Sequence, residues 1–94
     1  MKIAVDNQVS KDCIDELNKH YEVVLCAEDM MDETWLELAF ELDVDLIISP
    51  DLDVPNYLDR MNSDIKWISL PQNLRGIRQF KYLNKIIKKM YGLN

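Results

Sequence analysis

Four aspartates draw notice in this 94-residue chain because of the residues around them. Asp6 follows the apolar run Ile3-Ala4-Val5, and Asp51 and Asp53 follow Leu46-Ile47-Ile48-Ser49. Asp32 precedes a stretch with apolar residues at helical spacing. Carboxylates gathered in one crevice repel one another unless a positive charge sits among them. A hard divalent cation, Mg²⁺ or Mn²⁺, is the usual solution. Mg²⁺ takes oxygen ligands, keeps several waters and needs only one or two direct carboxylates. Such an ion can activate a water and neutralise a phosphodiester in the transition state. The chemistry these residues point to is metal-dependent phosphodiester hydrolysis. Asp6, Asp51 and Asp53 would hold the ion directly or through water, and Asp32 would position it or the attacking water. The plainer reading stays open: Asp and Asn are common after strands because they form turns. Asp32 also suits a helix cap, and Asp53 lies just before Pro55 and can do the same.

A second feature is charge. The formal net charge of −6 hides an asymmetry. Residues 1–64 hold all 17 acidic residues and only four basic ones, leaving −13. Residues 65–94 hold seven basic residues and no acid, leaving +7. Arg75, Arg78, Lys81, Lys85 and Lys88 recur every three or four positions and form one stripe of an amphipathic helix. Ile77, Phe80, Leu83, Ile87 and Met90 are read as its apolar stripe. The functional reading of the basic stripe is a ridge that contacts RNA phosphates. The alternative is a solvated face partly neutralised by the acidic half.

Other chemistries find little support. Cys13, Cys26 and His20 are too few and too scattered for a Cys–His zinc site, and nothing local marks them as an activated nucleophile pair. No serine sits in a nucleophile elbow, and Gly76 and Gly92 stand alone, so there is no glycine-rich phosphate loop.

The elements that would position these residues alternate. Lys2–Val5 reads as a strand ending in the turn Asp6-Asn7. Ser10 can cap a helix to about His20 by accepting from its free amides. Glu22–Cys26 is a second strand and Glu28–Met31 a loop. Asp32 starts a second helix with Trp35, Leu36, Ala39, Phe40 and Leu42 inward. Leu46–Ser49 is a third strand, and Pro55 opens a third helix at its first turn, with Tyr57, Leu58 and Met61 inward. Ile65–Leu70 is a fourth strand, and a last helix from Leu74–Arg75 to about Tyr91 ends at Gly92. Strand–helix alternation implies an α/β fold: one domain over residues 1–94, three layers, a mostly parallel four-stranded sheet with helices on both faces. The favoured strand order is 2-1-3-4. Direction of travel then reverses between strands 1 and 3, and ligands bind outside the carboxyl ends flanking such a switch point. Asp6, Asp51 and Asp53 would meet there, with Asp32 on the same edge. With 48% hydrophobic residues a core is attainable. No apolar run reaches membrane-spanning length, and the start MKIAVDNQ has no signal-type apolar block, which implies a cytoplasmic protein.

The order and spacing of these segments resemble the short PIN-like family of presumed ribonuclease toxins, relatives of the VapC-type PIN domains. The matching segments are Ile3-Ala4-Val5-Asp6-Asn7-Gln8-Val9-Ser10, His20-Tyr21-Glu22-Val23-Val24, Asp32-Glu33-Thr34-Trp35-Leu36-Glu37-Leu38-Ala39, Ile48-Ser49-Pro50-Asp51-Leu52-Asp53-Val54 and Lys85-Ile86-Ile87-Lys88. Ser49 stands where the family has Thr, and Val54 where it has Phe. The resemblance implies a PIN-like endoribonuclease with Asp6, Asp32, Asp51 and Asp53 as its acidic site, Mg²⁺ or Mn²⁺ as cofactor, RNA as substrate and a cognate antitoxin as partner. A homodimer stays open. A weaker resemblance, carried by Asp45–Ser49 and Ile65-Lys66-Trp67-Ile68, is to the substrate domain of 2-hydroxy-acid dehydrogenases. It implies ligand binding or protein interaction. The competing functional expectation is thus an inactive α/β interaction module that uses its acidic face against a basic partner.

Overall fold

Side chains on a strand alternate between the two faces of its sheet, and here the alternation sorts them into two cores. Ile3 and Val5 share one core with Leu46, Ile48 and Ile68; Ala4 and Ile47 belong to the other. The computed structural model describes residues 1–25 and 32–93, without the side chains of residues 32 and 33. Its elements run β1 (Lys2–Val5), α1 (Lys11–Asn18), β2 (Glu22–Leu25), α2 (Asp32–Glu41), β3 (Leu46–Ser49), α3 (Asp53–Arg60), β4 (Lys66–Ser69) and α4 (Gly76–Tyr91). All strand pairs are parallel and the order is β2-β1-β3-β4, as the sequence implies. Cys26 and the loop expected at Glu28–Met31 lie outside the described residues.

The three layers follow from these cores. Cys13 and Leu17 of α1 and Leu83 and Ile87 of α4 fill the first. Trp35, Leu36 and Ala39 of α2 and Val54 and Leu58 of α3 fill the second. The central strands carry the burden: all four residues of β3 are buried, as are three of four in β1, whereas the edge strands are partly exposed. Central strands of a parallel sheet are covered on both faces, so they read as unbroken apolar runs.

Several boundaries and faces differ from expectation. α3 begins at Asp53, with Pro55 third in the helix. A proline is tolerated there because first-turn amides have no partner within the helix. Met61 lies beyond the end of α3 and is exposed, and Val54 takes the inward place. Leu42 is exposed past the end of α2. The buried face of α4 is turned from the expected one: Gln79, Leu83 and Ile87 face the core, while Ile77 and Met90 are exposed. Gly92, at φ +66, closes α4 with a left-handed cap, and Leu93 N–H reaches back to the Lys88 carbonyl at 2.8 Å.

Candidate functional site

Asp6 stands one residue beyond β1. Its N–H donates to the Ile48 carbonyl at 2.9 Å, which carries the ladder one step past the strand. The half-buried carboxylate then takes two donors, Gln8 N–H on Oδ1 at 2.9 Å and the Ser49 hydroxyl on Oδ2 at 3.2 Å. Val9 N–H closes the turn on the Asp6 carbonyl at 3.1 Å. Ser49, the last residue of β3, is completely buried. Its Oγ also accepts from Asp51 N–H at 3.1 Å. Asp51 in turn accepts Asp53 N–H on Oδ1 at 2.9 Å, at the start of α3. Asp6, Ser49 and Asp51 thus form one chain of hydrogen bonds across the carboxyl ends of β1 and β3, the neighbouring strands at the switch point.

The other expected acids stand differently. Asp53 is exposed in the first turn of α3, where a negative charge is favoured by the helix dipole. Among the described residues no three His, Cys, Asp or Glu side chains gather closely enough to hold a metal ion. Asp6, Asp51 and Asp53 therefore line the strand edge without forming a three-carboxylate cage. Asp32 opens α2, and its side chain lies outside the described set.

A polar cluster that the sequence did not announce lies beside this edge. Gln79 has no exposed surface. Its Oε1 accepts both Ser10 N–H at 3.0 Å and the Ser10 hydroxyl at 3.1 Å, and its Nε2 donates to the Leu74 carbonyl at 3.1 Å. The Ser10 Oγ accepts Gly76 N–H at 2.8 Å. Ser10 is the N-cap residue of α1, but its hydroxyl makes no cap bond to that helix. The expected cap is replaced by a link to the start of α4. Gly76 sits at φ +58, where a side chain would be strained. Above this cluster, Gln72 Nε2 donates to Gln8 Oε1 at 3.2 Å on the surface.

The expected RNA-contacting residues Arg78, Lys81, Lys85 and Lys88 are exposed along α4, and Arg75 is its N-cap residue. Arg75 donates from Nη1 to the carbonyls of Gln72 and Leu74, so its guanidinium is turned onto its own loop. None of the five forms an ion pair among the described residues, where the pairs are Lys2–Glu22 at 4.0 Å and Lys19–Glu16 at 2.7 Å. Tyr82 is exposed among them.

Thiol chemistry at Cys13 is disfavoured. The residue is fully buried, and burial pushes its thiol up to about 11, so it is protonated at neutral pH. His20 is exposed and stacks on Phe80 with ring centroids 5.8 Å apart. A cleft of about 400 Å³ lies at the amino edge of the sheet, between Phe40, Asp45, Asp64 and Tyr91, away from Asp6 and Asp51. No described helix is long and apolar enough to cross a membrane. Comparisons with protein-family models, with curated proteins and with solved structures find no match to this chain.

Proposed function

We propose that this protein is a metal-dependent endoribonuclease of PIN-like type. The observation that carries the reading is the Asp6–Ser49–Asp51 chain at the switch point of a 2-1-3-4 sheet. Its donors are all oxygen, which suits Mg²⁺ or Mn²⁺ rather than a softer ion. Two carboxylates suffice for a cation that keeps most of its waters. Asp6 and Asp51 would hold it, Asp53 would act through water, and Asp32 would complete the acidic edge. When bound, the ion supplies an activated water and a counter-charge for the phosphodiester. Ser49 ties the Asp6 carboxylate to the backbone of Asp51. Arg78, Lys81, Lys85 and Lys88 give RNA a ridge about 15 Å long at 1.5 Å rise per residue, and Arg75 marks its end at the carboxyl edge. The reading extends to a cytoplasmic toxin restrained by a cognate antitoxin, with a homodimer as one way of presenting the ridge.

A specific observation also favours the second reading, an interaction module. Asp6 Oδ1 and Asp51 Oδ1 are already engaged by their own loops, the role of turn-forming residues, and Asp6 Oδ2 is taken by the Ser49 hydroxyl. Thermal melts with and without millimolar Mg²⁺ or Mn²⁺ separate the two. A ligand that binds only the folded state raises its stability. A rise in wild type that vanishes in Asp6→Asn/Asp51→Asn supports the nuclease and leads to an RNA cleavage assay, in which the double variant is inactive. No rise in either protein removes the metal site. Binding of a basic peptide that is lost on charge reversal at Asp51 and Asp53 would then favour the module.

A further inference from the structure

We infer that Gln79 is a positioning residue: from within the core it fixes the turn that carries Asp6 and locks that turn to the start of the basic helix. This role rests on the nuclease reading for its functional meaning, but its structural content stands apart from any metal. The turn from Asp6 to Ser10 is anchored at one end by the β1–β3 ladder through Asp6 N–H and Ile48 O. At its other end Gln79 is the anchor, receiving both the N–H and the hydroxyl of Ser10. Between the anchors, Gln8 N–H and Val9 N–H fold back onto the Asp6 carboxylate and carbonyl. Displacing Ser10 therefore shifts the donors that aim the carboxylate.

The same amide holds the other side. Its NH₂ binds Leu74, and Gly76 N–H binds the hydroxyl that Gln79 orients. In the sheet, β3 separates β1 from β4. The clasp joins the loops that follow β1 and β4, so it passes the end of β3, where Ser49 and Asp51 lie. An apolar residue at position 79 would fill the same space and leave Ser10 N–H without a partner inside the protein. Gln79 avoids that cost, although it is a polar side chain at a fully buried position beside Leu83 and Ile87.

The test uses amide hydrogen exchange, expressed as protection factors, on wild type, Gln79→Leu and Gln79→Glu. In Gln79→Leu, Gln8 and Val9 are expected to lose at least about fivefold protection, the factor that one lost net hydrogen bond gives. Leu17 and Leu83, core amides that report global opening, give the reference above which this local loss is read. In Gln79→Glu the loss should appear at about pH 8 and disappear at about pH 5. A protonated carboxyl can donate to the Leu74 carbonyl and accept from Ser10, whereas a carboxylate faces that carbonyl with no proton. Side-chain volume alone would give no such pH-dependent rescue. Loss confined to Ser10 and Gly76, with Gln8 and Val9 protected as in wild type, overturns the proposal. If Gln79→Leu does not fold, Gln79→Glu at acid pH decides: unprotected turn amides there refute it equally. A Mn²⁺-induced melt shift, expected in wild type and weakened in Gln79→Leu, reports on the nuclease reading separately. Its absence from wild type removes the metal and leaves the exchange result to judge the clasp.

Discussion

Ser49→Ala tests the link between the two strand ends most directly. The hydroxyl is completely buried, donates to Asp6 Oδ2 at 3.2 Å and accepts from Asp51 N–H at 3.1 Å. A hydrogen bond to a charged group contributes about 1.5–3 kcal/mol net. At 3.2 Å the bond to Asp6 is long for an O–H donor, which favours the lower end of that range. Loss of the acceptor for Asp51 N–H adds up to about 1 kcal/mol, because water can replace part of it at this half-buried position. The sum is roughly 1.5–2.5 kcal/mol, which for a domain of this size lowers Tm by roughly 6–20 °C. The assay is urea unfolding and a thermal melt of the variant, followed by a double-mutant cycle with Asp6→Asn. The coupling between the two sites should be at least about 0.5 kcal/mol, since they touch. A loss below about 0.5 kcal/mol, or a cycle that closes additively, would refute the claim that Ser49 ties Asp6 to Asp51.

Three further outcomes are expected. Gly76→Ala should cost about 1–2 kcal/mol from the left-handed backbone alone, because the nearest atom to an added Cβ is Asp12 Oδ2 at 3.8 Å and no clash arises; urea unfolding measures it. Cys13 has its thiol raised from 9.0 to about 11, so the unfolded chain ionises first: this contribution is intact below pH 9 and is lost progressively as pH rises to about 11. Cys13→Ala should flatten that part of the stability–pH profile, and the wild-type thiol should resist alkylation at pH 8 until urea is added. Lys81→Glu/Lys85→Glu should leave unfolding free energy within about 0.5 kcal/mol, since both residues are exposed. If the nuclease reading holds, the same pair should weaken binding of a single-stranded oligoribonucleotide, whose wild-type salt slope should be roughly −3 for four phosphate contacts.

Much of the fold was readable because it depends on long-range regularities. The apolar runs at Ile3–Val5 and Leu46–Ile48 marked the two central strands, and the alternation with helices implied the parallel 2-1-3-4 sheet. That topology also puts Asp6 and Asp51 after neighbouring strands, where Ser49 stands between the Asp6 carboxylate and the Asp51 N–H. What escaped was local choice among equivalent hydrogen bonds. Ser10 has the right type and place for a helix cap, yet nothing in its neighbourhood reveals that its partner lies 69 residues away at Gln79. Hydropathy places Ile77 in the core and a glutamine outside it, yet Ile77 is exposed and Gln79 is fully buried beside Leu83 and Ile87 on the inward face. Ser49 was visible only as a substitution within a motif. Its role as the bridge depends on burial that β3 gains from being flanked on both sides.

The pairing of α4 with α1 has a consequence for synthesis. Leu83 and Ile87 are needed to cover Ile3, Val5 and Cys13, and the ribosome makes them last among the core residues. At 5–20 residues per second, the side of the sheet that receives α4 waits roughly 4–15 s for its cover. During that interval the α2 and α3 side can close, while on the other side β1 and β3 have only α1 over their apolar face. A nascent chain stalled before α4 would therefore be a natural client for chaperones, and its exposure ends only when the basic helix docks.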